Sequence, residues 1–150
     1  MSLLIVGSIA LDNVETPFGK VIHSLGGSAI FTSMVSKNFC KSSVVGIVGE
    51  DFPKDHFELL AENEINTEDL MVVPGKTFHW SGKYNDLNKA ETLVTQLNVF
   101  ADFNPELCEN NKNCDYVFLG NIDPVLQLRV LKQIDNAKVI ACDSMNFWIS

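Results

Sequence analysis

Apolar residues run without interruption through Leu3, Leu4, Ile5 and Val6. A strand with one wet face would alternate, whereas a continuous run is expected of a parallel strand covered on both sides, so residues 2–8 read as a buried strand. The strand-like character carries on to Asp12, which stands at its end. Residues 28–39 are then helix-forming, with Ile30, Met34 and Val35 on one side and Lys37 and Asn38 near the end. A strand is expected over 43–48 and a helix over 52–63, with Pro53 in its first turn and Phe57, Leu60 and Ala61 as its core stripe. This alternation predicts βαβ units and a mostly parallel sheet flanked by helices.

The helical period disappears between residues 71 and 100. Met71-Val72-Val73, Thr77-Phe78-His79-Trp80, Gly82-Lys83-Tyr84 and the stretch 92–100 are strand-like, and the polar stretch 85–90 has turn composition. The segment therefore predicts a β-hairpin with a longer loop. Phe78, Trp80 and Tyr84 fall at strand spacing, where aromatic residues more often pack a sheet face than line a ligand. Beyond it the alternation resumes, with a short helix over 105–110, a strand over 116–119, a helix over 124–135 and a strand over 138–142. Pro124 suits the first helical position and Asp123 the cap before it. The turn Gly120-Asn121-Ile122-Asp123 would then lie at the carboxyl end of a strand, where ligands bind in open parallel sheets.

Charge and cysteine usage narrow the partners. A formal net charge of −8 argues against nucleic acid, which needs basic patches to meet its phosphates, and no Lys/Arg cluster stands ready for a nucleotide. Cys40, Cys108, Cys114 and Cys142 lack Cys-x-x-Cys spacing, and His23, His56 and His79 are scattered along the chain. Free thiols in a reducing compartment are expected in preference to a metal or redox centre. Met1-Ser2 leads into a short apolar run with no basic segment before it, and no run approaches the roughly 18 apolar residues of a membrane span. A cytoplasmic protein with no membrane partner is the expectation.

The candidate chemistry gathers at Leu25-Gly26-Gly27-Ser28-Ala29, where two glycines precede the first helix. Without Cβ atoms there, a small polar ligand could lie directly on the backbone N–H groups of the helix start. Asp12 would add an acceptor-only carboxylate for ligand hydroxyls on the same rim. The pairing suggests a sugar or nucleoside pocket; a capping Asp beside a tight turn is the plainer alternative.

Taken with Val45-Gly46-Ile47-Val48-Gly49-Glu50-Asp51-Phe52 and the helix and polar turn of 59–67, the Asp12 and Gly26-Gly27 pattern resembles the ribokinase-like (PfkB) carbohydrate kinases. The resemblance covers essentially all 150 residues and is to the amino-terminal half of that family. It implies a ribokinase-like α/β fold, with segments of about 13–25 and 71–100 forming a small β lid over the substrate. The plainer alternative for those segments is an antiparallel edge. It further implies that Asp12, Gly26, Gly27 and Asn121 bind substrate. Ala10 and Phe31 stand where sugar-specific members often carry Asn, which leaves the particular substrate open.

The family's Gly-Ala-Gly-Asp anion hole and catalytic base belong to a carboxyl-terminal half that has no counterpart in these residues. The resemblance therefore implies a fragment of an ATP-dependent kinase, with ATP and Mg2+ serving the complete enzyme and neither binding this chain tightly. No catalytic residue and no metal ligand is assigned. A non-catalytic α/β ligand-binding or dimerisation module derived from the same fold is the alternative. Self-association through the lid or the sheet edge is expected, with Phe147, Trp148 and Ile149 adding apolar surface to that edge.

Overall fold

Leu4 and Val6 pack on one side of the first strand and Ile5 on the other, and all three are fully buried. The continuous apolar run thus marks a central strand in this computed structural model, which describes residues 1–145. That strand is β1 (Ser2–Val6). The chain next forms β2 (Ala10–Thr16) and β3 (Gly19–Gly26), then α1 (Ser28–Ser36), β4 (Lys41–Gly49), α2 (Lys54–Glu62) and β5 (Asn66–Val73). A hairpin of β6 (Phe78–Asp86) and β7 (Lys89–Gln96) leads through a 3-10 turn (Asn98–Asp102) to α3 (Glu109–Lys112), β8 (Tyr116–Leu119), α4 (Pro124–Leu131) and β9 (Val139–Cys142).

Five strands form the main sheet in the order β5-β4-β1-β8-β9, every neighbouring pair parallel. On one face Ile5, Val44 and Val48 meet Ala29 and Ile30 of α1 and Leu60 of α2. On the other, Val45, Val117 and Leu119 meet Leu126 and Val130 of α4, with Phe103 and Leu107. The order runs outward from β1 to β5 and then restarts at β8 on the opposite side of β1. Strand order reverses between β1 and β8, which opens a crevice outside their carboxyl ends.

The second sheet, ordered β3-β2-β6-β7, stands over that crevice. Its entry is pinned by Thr77, which is buried just before β6. The Gly49 N–H donates to Thr77 Oγ1 at 3.0 Å, and the hydroxyl and N–H of Thr77 both donate to Asp51 Oδ1 at 2.7 Å. Asp51, just after the glycine-containing end of β4, thereby holds the small sheet to the main one.

Several boundaries differ from the sequence reading. The run 3–12 is not one strand: it stops at Val6, turns over Gly7 and Ser8, and Asp12 belongs to β2 of the small sheet. Met71, Val72 and Val73 are not part of the lid segment, because they pair in parallel with β4 at the edge of the main sheet. The hairpin turn is tight, since Asp86 already pairs with Lys89. Pro53 caps α2 from outside, Ala61 is exposed, and Val35 is 63% exposed. The helix expected over 105–110 lies at Glu109–Lys112, and α4 is shorter than 124–135 although its cap is as expected, Asp123 Oδ1 accepting from the Val125 N–H at 2.7 Å. Phe147, Trp148 and Ile149 lie outside the described residues.

Thr77→Val keeps the shape but strands the Gly49 N–H in a buried position, so it should destabilise the fold by about 1–3 kcal/mol while Thr77→Ser costs less. Urea unfolding of the two variants checks this. Indistinguishable midpoints for Thr77→Val and wild type would mean that the clamp contributes nothing.

Candidate active site

The loop leaving β1 closes onto the first turn of α1. Gly27 sits at φ 99°, a conformation costly for any residue with a side chain, and a Cβ there would collide with the Ser8 carbonyl. That close approach lets Ser8 cap the helix. The Ser28 N–H donates to Ser8 Oγ at 3.1 Å, the Ala29 N–H to the Ser8 carbonyl at 3.1 Å, and the Ser8 N–H returns a bond to Ser28 Oγ at 3.2 Å. Ser28 Oγ is also wedged between strand ends: a Cβ on Gly7 or on Gly120 would come within 2.5 or 2.6 Å of it. The Ser28 and Ala29 N–H groups are therefore spent on Ser8. Two of the N–H groups at the helix start where a ligand was expected to lie are thus taken by Ser8.

Asp12 reaches the same rim from the small sheet. It pairs with Ser24 on β3 and Trp80 on β6, and Gly26 lies beside its carboxylate so closely that a Cβ would overlap it. Asp12, Gly26 and Gly27 are thus brought together. Burial pushes the Asp12 carboxyl above its usual range, partly opposed by His79 nearby. His79 is oriented by donating from Nδ1 to the Leu11 carbonyl at 2.6 Å. Among the described residues no hydrogen bond is made to the Asp12 carboxylate, and Asp12 lines a cavity.

That cavity is about 440 Å3 and lies at the reversal of strand order. Phe78 and Trp80 wall it from the small sheet and also pack as expected, Phe78 against Phe100 and the Trp80 indole over Gly82. Asn121, in the turn after β8, and Asp143, after β9, line its far side. Asn121 therefore joins the other three expected residues, and its amide also donates to Met145 Sδ at 3.0 Å. Ala10 and Phe31 are wall residues too, so apolar surface stands where a side-chain amide could have met a hydroxyl. The lining carries two carboxylates and no Lys or Arg, an environment that favours an uncharged ligand rich in donors.

Sequence reasoning missed Ser8 and Ser28 and assigned Asp143 no role. A serine directly after Gly7 and another directly after Gly27 were the available signals for the first two. The histidines are not scattered in space: His56 Nε2 lies 3.3 Å from the His23 carbonyl, and the His23 and His79 rings meet edge-on at 5.9 Å. Among the described residues no three His, Cys, Asp or Glu side chains converge to hold a metal ion, and no helix is long and apolar enough to cross a membrane.

No protein-family model and no curated protein matches the chain. Solved structures do. The chain aligns over 95% of its length with the nucleoside kinase of Methanocaldococcus jannaschii, an archaeal member of the ribokinase family, at TM-score 0.72 and 21% identity, covering 52% of that protein. Against the ribokinase of Cryptococcus neoformans in complex with ADP the figures are 93%, 0.72, 15% and 50%. The nucleoside kinase of Burkholderia thailandensis in complex with inosine matches over 79% of the chain at TM-score 0.61 and 14% identity, with 43% of it covered. The class is therefore a ribokinase-like α/β fold. The chain spans about half the length of the kinases it matches.

Gly27→Ala forces a side chain into the left-handed region and against Ser8. It should destabilise the protein by about 1–3 kcal/mol, read as a lowered thermal midpoint. An unchanged midpoint would contradict the capping role given to this turn.

Proposed function

We propose that residues 1–150 are the amino-terminal part of an ATP-dependent kinase and carry the side of its active site that binds the acceptor, a sugar or nucleoside-like molecule phosphorylated on a hydroxyl. The observation that carries this reading is the Asp12 carboxylate, raised in pKa, facing a cavity at the strand-order reversal with no hydrogen bond from the described residues. An ionised carboxylate accepts two or more hydroxyl donors at once, which suits a polyol. The fold shared with nucleoside kinases and a ribokinase supports the same reading.

In this reading Asp12 and Asn121 fix the orientation of the acceptor. Gly26 leaves room for the Asp12 carboxylate, and Gly27 lets the β1 loop support the rim. The small sheet acts as a lid that excludes water and holds the hydroxyl in line for transfer. The described residues do not fit ATP with Mg2+: no cation lines the cavity and no metal-ligating cluster occurs among them. The nucleotide site and the base are assigned to the other half of a complete enzyme, and these 150 residues alone are expected to release no ADP above background. On β9, Val139 is 55% and Ile140 42% exposed, surface for the remainder of such a sheet or for a second copy of the chain.

Binding of ribose and inosine to the purified protein, followed by calorimetry, tests the assignment. Asp12→Asn should weaken both at least tenfold, about 1.4 kcal/mol. Because burial raises the Asp12 pKa, its contribution to stability is present below the unfolded carboxylate pKa and lost as pH rises through the folded value, so Asp12→Asn should cost no stability at neutral pH. Binding has the opposite dependence. It needs the ionised form and should fade on acidification at a higher pH than an ordinary carboxylate would give. Equal binding by wild type and Asp12→Asn would refute the assignment.

A further inference from the structure

A second cavity of about 440 Å3 opens beside the first and shares Ser8, Phe78 and Asn121 with it. Its character is different. Phe78 stacks on Phe100 at 5.5 Å between ring centres and 18° between planes, and Phe100 on Phe103 at 5.6 Å and 24°. The first ring of this row faces both cavities, while the last is buried in the core. Leu97, before the 3-10 turn, and Val125, in the first turn of α4, complete the walls although they are 47% and 58% exposed. Apolar side chains are thus held open around a row of stacked rings, next to a polar cavity that ends in a carboxylate.

The charged groups of the second cavity are already engaged. Asp123 caps α4 through the Val125 N–H at 2.7 Å, and Arg129 Nη1 donates to Asn104 Oδ1 at 3.3 Å. An anionic substituent would meet Asp123 here and Asp12 and Asp143 next door, with Arg129 alone to offset them. A flat uncharged ring meets none of these costs and gains contact with the aromatic and apolar walls.

We infer that the acceptor is a nucleoside, with its hydroxyls at Asp12 and its base in the cavity walled by Phe78, Phe100, Leu97 and Val125, and that neither a free sugar nor a sugar phosphate is the preferred ligand. This rests on the reading of Asp12 as the hydroxyl acceptor and goes on to choose among the molecules that reading admits. Phe78, common to both cavities, marks the junction between sugar and base.

The test is calorimetry on the purified protein with three probes: inosine, methyl riboside, which lacks a base, and ribose 5-phosphate. Inosine should bind at least tenfold tighter than methyl riboside, with ribose 5-phosphate weakest. Phe100→Ala should weaken inosine at least fivefold more than it weakens methyl riboside. Val125→Glu should do the same from an exposed site where a carboxylate suits the helix N-terminus, so that a folding defect does not decide the result. Equal affinities for inosine and methyl riboside, tighter binding of ribose 5-phosphate, or equal losses for both ribosides in the two variants would overturn the inference. Asp12-dependent binding of methyl riboside with no gain from the base would overturn it alone. If none of the three probes binds, the proposed function falls and the inference falls with it.

Discussion

The reciprocal hold between Ser8 and Ser28 fixes the relation on which the rest of the site depends. It ties the loop after the central strand to the start of α1 by four hydrogen bonds of 3.1–3.3 Å, three of them through side-chain hydroxyls. Gly27 permits the approach, and Gly7 and Gly120 leave room for Ser28 Oγ between the ends of β1 and β8. The two strands that flank the reversal of strand order are therefore packed around one serine. A helix start held in this way is a structural joint.

The cavity is walled by two sheets. The small sheet brings Asp12, Phe78 and Trp80, and the main sheet brings Asn121 and Asp143 at its carboxyl edge. The Thr77–Asp51 clamp is one of the joins between them, which gives the Asp after the glycine-containing end of β4 a mechanical role next to the wall residue Phe78. Partial burial of Asp12 disfavours its charge, and a ligand that donates hydrogen bonds to it returns what burial removes.

Much of this was legible in the sequence where one physical signal acted alone. The uninterrupted Leu3–Val6 run identified the central strand, the Asp123-Pro124 pair identified the start of α4, and the glycines and Asp12 pointed to one rim. The reading failed where signals competed. β5 opens with Asn66, Thr67, Glu68 and Asp69, a polar stretch that hides an edge strand, and Asp69 has tertiary work there, accepting from the Cys108 N–H and the Asn111 amide. Every residue of β7 is exposed, so no buried face marks its limits and the turn before it looks longer than it is. Phe78 and Trp80 carry strand spacing whether they face a core or a cavity, and only the position of the small sheet over the crevice separates the two.

The central claim is that the Asp12 carboxylate is held in partly dry surroundings to receive hydroxyl donors. NMR titration of its carboxyl carbon, free and saturated with inosine, tests this most directly. The account predicts a free pKa above the ordinary carboxylate range and a fall on saturation, because donors to the charged form favour ionisation. A free value at or below that range, or a pKa unmoved by bound ligand, would contradict it.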